Sequence, residues 1–467
     1  GIAIGNRRRG RRGAGVGQAI ESAGAGAPAR VRLRMSRGAV LVAAGLAITS
    51  GLWIAGRWSD LGAAWFWPWR APSQLTMLWS STLASLAILA VVRARALEPL
   101  FGGLDRAVRL HRKLGLGALL LLTAHVVLLS ADALAAGTPL PAVLVPFWTG
   151  DERGFDILAF YILSALGVLA YDKRLRHERW LFLHRLIGLL FLLGTLHAAI
   201  EPGTIRDFEP LRTWIVILLL VGAAAWLYRV FLFRRFGPQY RYRVERAQPR
   251  GRDVVDLVMR PVERRMMYEP GTFVFVAVPT FEGMERELHP FSISSSPVDR
   301  DLRVSVRQVG DFTRRLPALA PGTPVEVYGP FGGFTPQRFA PYRRLVWIGA
   351  GIGITPFLGM LAFERSNRDF RRIWLYYVVR EEADAAYDAE IRDSYLEADS
   401  YVDYFLWKTR ESGRLTARQV AEEVAPLDDY AVMLCGQPAF VEDMARQFRA
   451  LGLPPERIIT EELQFRG

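Results

Sequence analysis

Two apolar stretches constrain this chain more than any other feature: RLHRKLGLGALLLLTAHVVLLSADA over 109–133 and ERWLFLHRLIGLLFLLGTLHAAI over 178–200. Each is long enough to complete or nearly complete a bilayer crossing, which takes roughly 20 helical residues. Each also carries two histidines, His111 and His125 in the first, His184 and His197 in the second, so four of the chain's six histidines fall inside apolar helices. An ionisable ring in hydrocarbon is costly and marks a functional position by default. Imidazole is also a standard axial ligand of haem iron.

The two histidines of a pair are fourteen residues apart in the first stretch and thirteen in the second. That separation is a rise of roughly 20 Å, which sets one imidazole near each membrane face. Two such helices side by side present two tiers of rings, enough to hold two stacked b-type haems through His111, His125, His184 and His197. At ideal winding His125 returns to within about 40° of His111, whereas His197 lies about 140° from His184. Gly188 and Gly194 fall in that second interval, where the helix could bend. Interhelical hydrogen bonding is the alternative use of buried histidines. Two matched pairs favour ligation, because iron removes the desolvation cost that four uncompensated rings would carry.

A chain of 467 residues that is 51% hydrophobic and 22% charged is a mixture of membrane and soluble parts. Apolar segments at about 38–56, 71–92, 110–131, 155–171, 180–200 and 213–231 predict six crossings, the last three with short uncharged cores completed by flanking arginine and aromatic residues. With the N-terminus inside, the inner flanks hold twenty-three Lys plus Arg and the outer loops five. This asymmetry places everything after residue 237 in the cytoplasm, and it accounts for the net charge of +13 without nucleic acid. On the same face Arg109, Arg112, Lys113 and Arg185 either neutralise haem propionates or serve only as positive-inside flanks. Residues 1–37, with the run RRRGRR, read as a disordered basic tail near anionic lipid. The single cysteine, Cys435, leaves no disulfide framework and too few thiolates for an iron–sulfur cluster, so the electron carriers must be organic or haem.

From Gln239 the patterning changes. YRYRV, VVDLVM, TFVFVAV and LRVSVRQV alternate and are broken by Pro and Gly, as in a small antiparallel barrel. LVWIGAGIGITPFLGML from Leu345 reads as a buried strand, a glycine-rich turn and a helix start, and IWLYYVVR and YAVMLCG add buried strands of a parallel α/β sheet. Gly349, Gly351 and Gly353 would let the backbone approach a diphosphate, with the following helix N-terminus favouring its charge. Arg380, at the end of the next strand, is placed to meet a 2′-phosphate and so to select NADPH, or is a surface arginine.

These residues together resemble the ferric reductase and NADPH oxidase family, over 38–467. The resemblance rests on the two histidine pairs and on HPFSISSSP at 289–297, VRQVGDFT at 306–313, YEPGTFVFV at 268–276, YGPFGG at 328–333, GAGIGITP at 349–356, CGQP at 435–438 and the terminal EELQFRG. After the basic tail (1–37), it implies a transmembrane di-haem domain of six all-α helices (38–237), an antiparallel β-barrel domain for FAD (238–340) and an α/β parallel-sheet domain for NADPH (341–467). By the same resemblance His289, Pro290, Phe291 and Ser292 meet the flavin, with Ser292 at its reactive edge, and Arg307 and Thr313 meet the FAD pyrophosphate. Gly349, Gly351, Gly353, Thr355, Pro356 and Gly436 line the nucleotide, Cys435 sits beside the nicotinamide, and Phe465 shields the flavin until nicotinamide displaces it. Arg70 resembles a cation near the outer haem of oxidases, where it would stabilise developing superoxide, whereas Leu129 stands where animal oxidases carry a histidine.

The implied activity is transfer of electrons from cytosolic NADPH through FAD and two haems to an acceptor outside, in a bacterial plasma membrane. The expected acceptor is O2, with a ferric chelate as the alternative. A third reading is a membrane-anchored subunit that feeds a protein partner. No obligate partner beyond membrane lipid and the small acceptor is expected.

Overall fold

The computed structural model describes residues 36–58, 68–148, 150, 153–172, 174–175, 177–200, 207–284, 287–336, 342–367, 371–396, 401–424 and 430–461. The basic tail predicted for 1–37, apart from its last two residues, and Phe465 lie outside them. Arg37–Gly467 form one compact unit.

The first half is helical: α1 (Arg37–Gly56), α2 (Arg70–Ala90), the short α3 (Glu98–Phe101), α4 (Leu104–Ala135), α5 (Arg153–Leu169), α6 (His177–Ile200) and α7 (Glu209–Leu227). Among the described residues five helices are long and apolar enough to cross a membrane, and a shorter apolar helix covers Gly154–Leu169. The fourth predicted crossing is thus the short one, at 17 residues.

Helix α2 is the centre of the bundle because its sequence is small and polar along the packed side. Ser73, Ser80, Ser81, Thr82, Ala84, Ser85 and Ala87 are all buried. Small side chains let helix backbones approach closely, and hydroxyls bond across the gap. Ser80 Oγ donates to the Ala118 carbonyl of α4 at 2.8 Å, and Thr49 of α1 meets Thr82 at 3.0 Å.

The second half is two sheets. An antiparallel sheet has the order β4 (His289–Ser292), β3 (Phe273–Ala277), β6 (Pro324–Phe331), β1 (Gln239–Arg250), β2 (Val254–Pro261), β5 (Leu302–Arg307). An isolated antiparallel bridge, Ile293 to Val304, joins its two outermost strands past the end of β4. The second sheet is parallel, in the order β11 (Ile458–Glu461), β10 (Tyr430–Cys435), β7 (Arg344–Ala350), β8 (Arg372–Val379), β9 (Val402–Lys408). Its strands are near-continuous apolar runs because helices cover both faces. Helix α8 (Thr355–Asn367) follows β7, α9 (Asp388–Tyr395) follows β8, and α10 (Pro438–Ala450) follows β10. The strand order reverses between β7 and β10, and ligands of open parallel sheets bind at such a switch point.

The two sheets are locked by a buried polar network. Arg303 on β5 makes a two-pronged contact with Glu390 of α9 at 2.8 and 3.1 Å. Asp256 on β2 accepts from Ser305 and from the Tyr387 hydroxyl at 2.6 and 2.7 Å. Every buried oxygen and nitrogen of this cluster that carries charge thus has a partner of opposite sign or a donor, the condition under which such a network fixes one arrangement.

Candidate functional site

The histidines fall where α4 and α6 face one another across α2. His111 and His184 point their Nε2 atoms at each other, 3.4 Å apart. A metal bound between two imidazoles needs them ~4 Å apart, twice a ~2.0 Å metal–nitrogen bond. A shift of roughly half an ångström therefore converts this contact into a ligand pair. At the other tier, His125 and His197 lie close enough to interact electrostatically. His197 is also 3.8 Å from Asp156 of α5 and is exposed. That outward turn agrees with the angular offset expected from the thirteen-residue spacing.

Helix α2 orients both rings of α4. His111 Nδ1–H donates to the Ala87 carbonyl at 2.9 Å, and His125 Nδ1–H donates to the Ser73 carbonyl at 2.8 Å. The two carbonyls are fourteen residues apart on α2, as the two histidines are on α4, so two antiparallel helices meet in register at both tiers. A hydrogen bond at Nδ1 fixes the tautomer that leaves Nε2 its lone pair, the arrangement that metal-ligating histidines use. Backbone carbonyls have no sequence signature, which is why Ala87 and Ser73 escaped the sequence reading. On α6, His184 is held differently: Trp180, one turn earlier, stacks on its ring at 4.9 Å with the planes 7° apart. This pair was legible as W-x-x-x-H. His111 and His184 are brought together as a facing pair that fits a bis-imidazole site, whereas His197 is turned toward Asp156 at the end of the bundle that carries His125.

Arg70 opens α2, three residues before Ser73, and is exposed. It therefore sits at the end of the bundle that carries His125.

In the sheet module, Ser292 ends β4, and its buried Oγ makes no hydrogen bond of regular geometry while facing the Glu461 carboxylate. Cys435 ends β10, in register with Gly349 of β7 and Glu461 of β11. Its Sγ is 4.0 Å from Glu461. Burial pushes the thiol well above its ordinary range, with the charge of Glu461 acting the same way. Burial likewise pushes Glu461 up, helped by Asp105. Cys435 is thus an uncharged small side chain rather than a nucleophile. Ser292, Cys435 and Glu461 are buried together at the switch point, Cys435 and Ser292 each beside the Glu461 carboxylate. Glu461 was missed in sequence because one acid in EEL does not announce which neighbour it will meet.

The glycine loop is built as a phosphate cradle requires. A Cβ at Gly353 would lie 2.4 Å from the Cys435 carbonyl oxygen, so only glycine permits the close packing of loop and strand. Gly351, at φ +56°, faces open space on its Cβ side. The turn Gly351–Ile354 leads into Thr355 and Pro356 at the start of α8, where unpaired backbone N–H groups favour a phosphate. Gly436 follows Cys435 with φ +157°. Arg380 is exposed beyond β8.

His289, Pro290 and Phe291 form β4 beside β3, and His289 stacks on Phe312 at 3.9 Å. Arg307 bonds Asp253 at 2.5 Å, and the Thr313 hydroxyl accepts from the Val309 and Gly310 N–H groups at 3.0 Å each. These two residues flank one turn but are occupied in shaping it.

The helical and sheet halves meet through contacts that no motif foretold. Glu98 of α3 accepts from Gly332 N–H at 2.6 Å and from Leu104 N–H at 3.1 Å, tying the YGPFGG loop to the start of α4. Phe101, Leu104 and Ala107 pack with Phe273, Phe275, Tyr328 and Phe331 in one apolar cluster.

The sequence matches the ferric reductase like transmembrane component family over residues 76–195, an FAD-binding domain over 239–321 and an oxidoreductase NAD-binding domain over 347–446. "NADPH oxidase 1" of Mus musculus is 34% identical over 141 residues, which is 28% of this chain and 23% of that one. "Respiratory burst oxidase homolog protein F" of Arabidopsis thaliana is 27% identical over 308 residues, covering 56% of this chain and 30% of that one. The chain thus spans about a quarter to a third of the length of these relatives. Among solved structures, a ferredoxin NADP+ reductase from Neisseria gonorrhoeae with bound FAD and NADP aligns over 48% of this chain and 98% of its own, at 17% identity and a TM-score of 0.42. With all three domains present in order along one polypeptide, the chain is a membrane protein belonging to the ferric reductase and NADPH oxidase family.

Proposed function

We propose that this protein carries electrons across a membrane, from NADPH bound at the glycine loop, through FAD and haems on the two histidine tiers, to O2 on the far side, forming superoxide. The observation that carries the proposal is the facing pair His111 and His184, 3.4 Å apart, with His111 oriented by a backbone carbonyl. The oxidase names of the relatives and the arginine at the start of α2 support O2 as acceptor. We further propose six crossings, with the 17-residue α5 as the fourth, a closed FAD barrel sealed by the Ile293–Val304 bridge, and cytoplasmic sheet domains as the arginine asymmetry implies.

When bound, flavin accepts hydride and haem passes single electrons. The chain's own residues hold and insulate. Ala87 and Ser73 fix the ring tautomers of α4, and Trp180 fixes the plane of His184. Ser292 offers its hydroxyl at the end of β4, beside Glu461, whose carboxyl burial pushes above the usual carboxylate range. Arg70 would stabilise negative charge developing on the acceptor.

Purified protein in detergent, reduced anaerobically with NADPH, should show haem reduction and then rapid reoxidation on adding O2, with superoxide detected. Reoxidation by ferric citrate but not by O2 would sink the oxidase assignment, and absence of haem reduction would sink the route.

A further inference from the structure

At the end of the bundle that meets the sheets, three arginines lie near one another. Arg93 lies three residues past α2 at φ +59°, a conformation that an arginine adopts only where the surroundings enforce it. Its guanidinium sits 3.8 Å from the centre of the Phe275 ring and 5.7 Å from that of Phe233. Arg229 approaches the same Phe233 ring to 5.5 Å, and it is carried on a π-helical turn, Tyr228–Leu232, a local irregularity that is frequent at functional sites. Arg185 joins them from α6, where its carbonyl accepts from Trp226, one turn before Arg229.

Among the described residues, none of the three has a carboxylate within ion-pair distance. Arg93 Nη1 is buried with no hydrogen-bond partner. Burial, and then the charge of Arg229, lowers its pKa. Glu98 lines the same pocket but accepts from two backbone N–H groups instead. By contrast Arg109 is paired with Asp105 at 2.9 Å, and Arg112 and Lys113 are exposed. Two half-buried like charges beside one ring repel each other, a cost that an anion between them would remove.

The position says which anion. The pocket at Arg93 is lined by Ala90 and Ala107. Ala107 is one turn from His111, and Ala90 one turn from Ala87, whose carbonyl orients that ring. The alanines that line the Arg93 pocket therefore lie one helical turn, ~5 Å along the axis, from His111 and from the carbonyl that orients it, and Arg185 directly follows His184. Phe331 walls the pocket, and Phe233 and Phe275 cover the guanidiniums.

We propose that Arg93 and Arg229, with Arg185 beside them, form the site that receives the propionate carboxylates of the haem held by His111 and His184. The inference rests on the ligand reading above. A cation at the edge of a haem stabilises the added electron, so this tier's potential depends on the cluster, while the His125 and His197 tier, which has Asp156 nearby, does not.

The test is a potentiometric titration of purified Arg93→Gln, Arg229→Gln and the double variant, with haem stoichiometry measured in each. The expected result is two haems retained, with the reduction constant of one falling about tenfold per substitution, about 59 mV for a one-electron couple. The other haem is unmoved, and Arg93→Lys recovers most of the loss. Selective loss of one haem in the glutamine variants, restored by lysine, is equally supporting. Two haems with unchanged potentials in the double variant overturn the propionate site but leave the histidine ligands standing. Stabilisation of the wild type, but not of the double variant, by vesicles of anionic phospholipid would assign the cluster to a lipid phosphate and likewise overturn it. A wild type without haem overturns both readings.

Discussion

Removing the Glu98 carboxylate should loosen the joint between the two halves of the molecule. Its Oε1 accepts from Gly332 N–H at 2.6 Å and from Leu104 N–H at 3.1 Å. Hydrogen bonds to a charged acceptor contribute about 1.5–3 kcal/mol, and a buried N–H left unpaired costs about 1–3 kcal/mol. Burial raises the Glu98 pKa, which weakens the charged form and favours the lower end of that range. The joint also keeps its apolar cluster of Phe101, Leu104, Phe273 and Phe331. A net loss of about 2–3 kcal/mol is therefore expected for Glu98→Ala, equivalent to roughly 30- to 150-fold in the local opening constant. Hydrogen exchange read by mass spectrometry on peptides spanning 328–336 and 98–107 measures this directly. Both should lose protection together in Glu98→Ala, and Glu98→Gln, which keeps one carbonyl acceptor, should recover most of it. Electron transfer from reduced flavin into the membrane half should slow in parallel, while FAD content stays constant. Unchanged exchange at Gly332 and Leu104 in the alanine variant would refute the reasoning.

Two further expectations follow from single contacts. Glu461 is held above the usual carboxylate range by burial, so its stabilisation is complete below the unfolded value near 4.5 and is lost as pH rises through the raised folded value. Thermal melts from about pH 5 to 9 should therefore decline for the wild type, whereas Glu461→Gln stays flatter and exceeds it at the alkaline end; parallel curves would count against this. Gly353→Ala would put a methyl 2.4 Å from the Cys435 carbonyl oxygen, and overpacking of this kind costs about 1–3 kcal/mol. Its melting temperature and NADPH affinity should both fall with FAD retained, and wild-type NADPH affinity would contradict the cradle.

What could be seen in the residues was what chemistry restricts by type. Histidine in an apolar helix and glycine where a Cβ has no room each have few structural solutions, so His111, His184 and Gly353 drew notice from residue type alone, whereas the packed serines of α2 did not. The parallel strands were legible as uninterrupted apolar runs. Contacts supplied by backbone or by distant loops were not. Ala87 orients His111 through a carbonyl that any residue would present. Glu98 and Gly332 meet across 234 positions of sequence, with no local pattern linking them. The arginines expected to neutralise haem propionates included Arg109, which instead spends its charge on Asp105 one turn away. Arg93 drew no notice, since its importance comes from the cover that Phe275 provides.

The account stands on four imidazoles holding iron in two tiers. Haem per polypeptide, measured by pyridine haemochrome on the purified wild type and on His184→Ala and His197→Ala, tests this most directly. Two haems in the wild type and one in each variant is the result expected. Two haems in both variants, or none in the wild type, would contradict it.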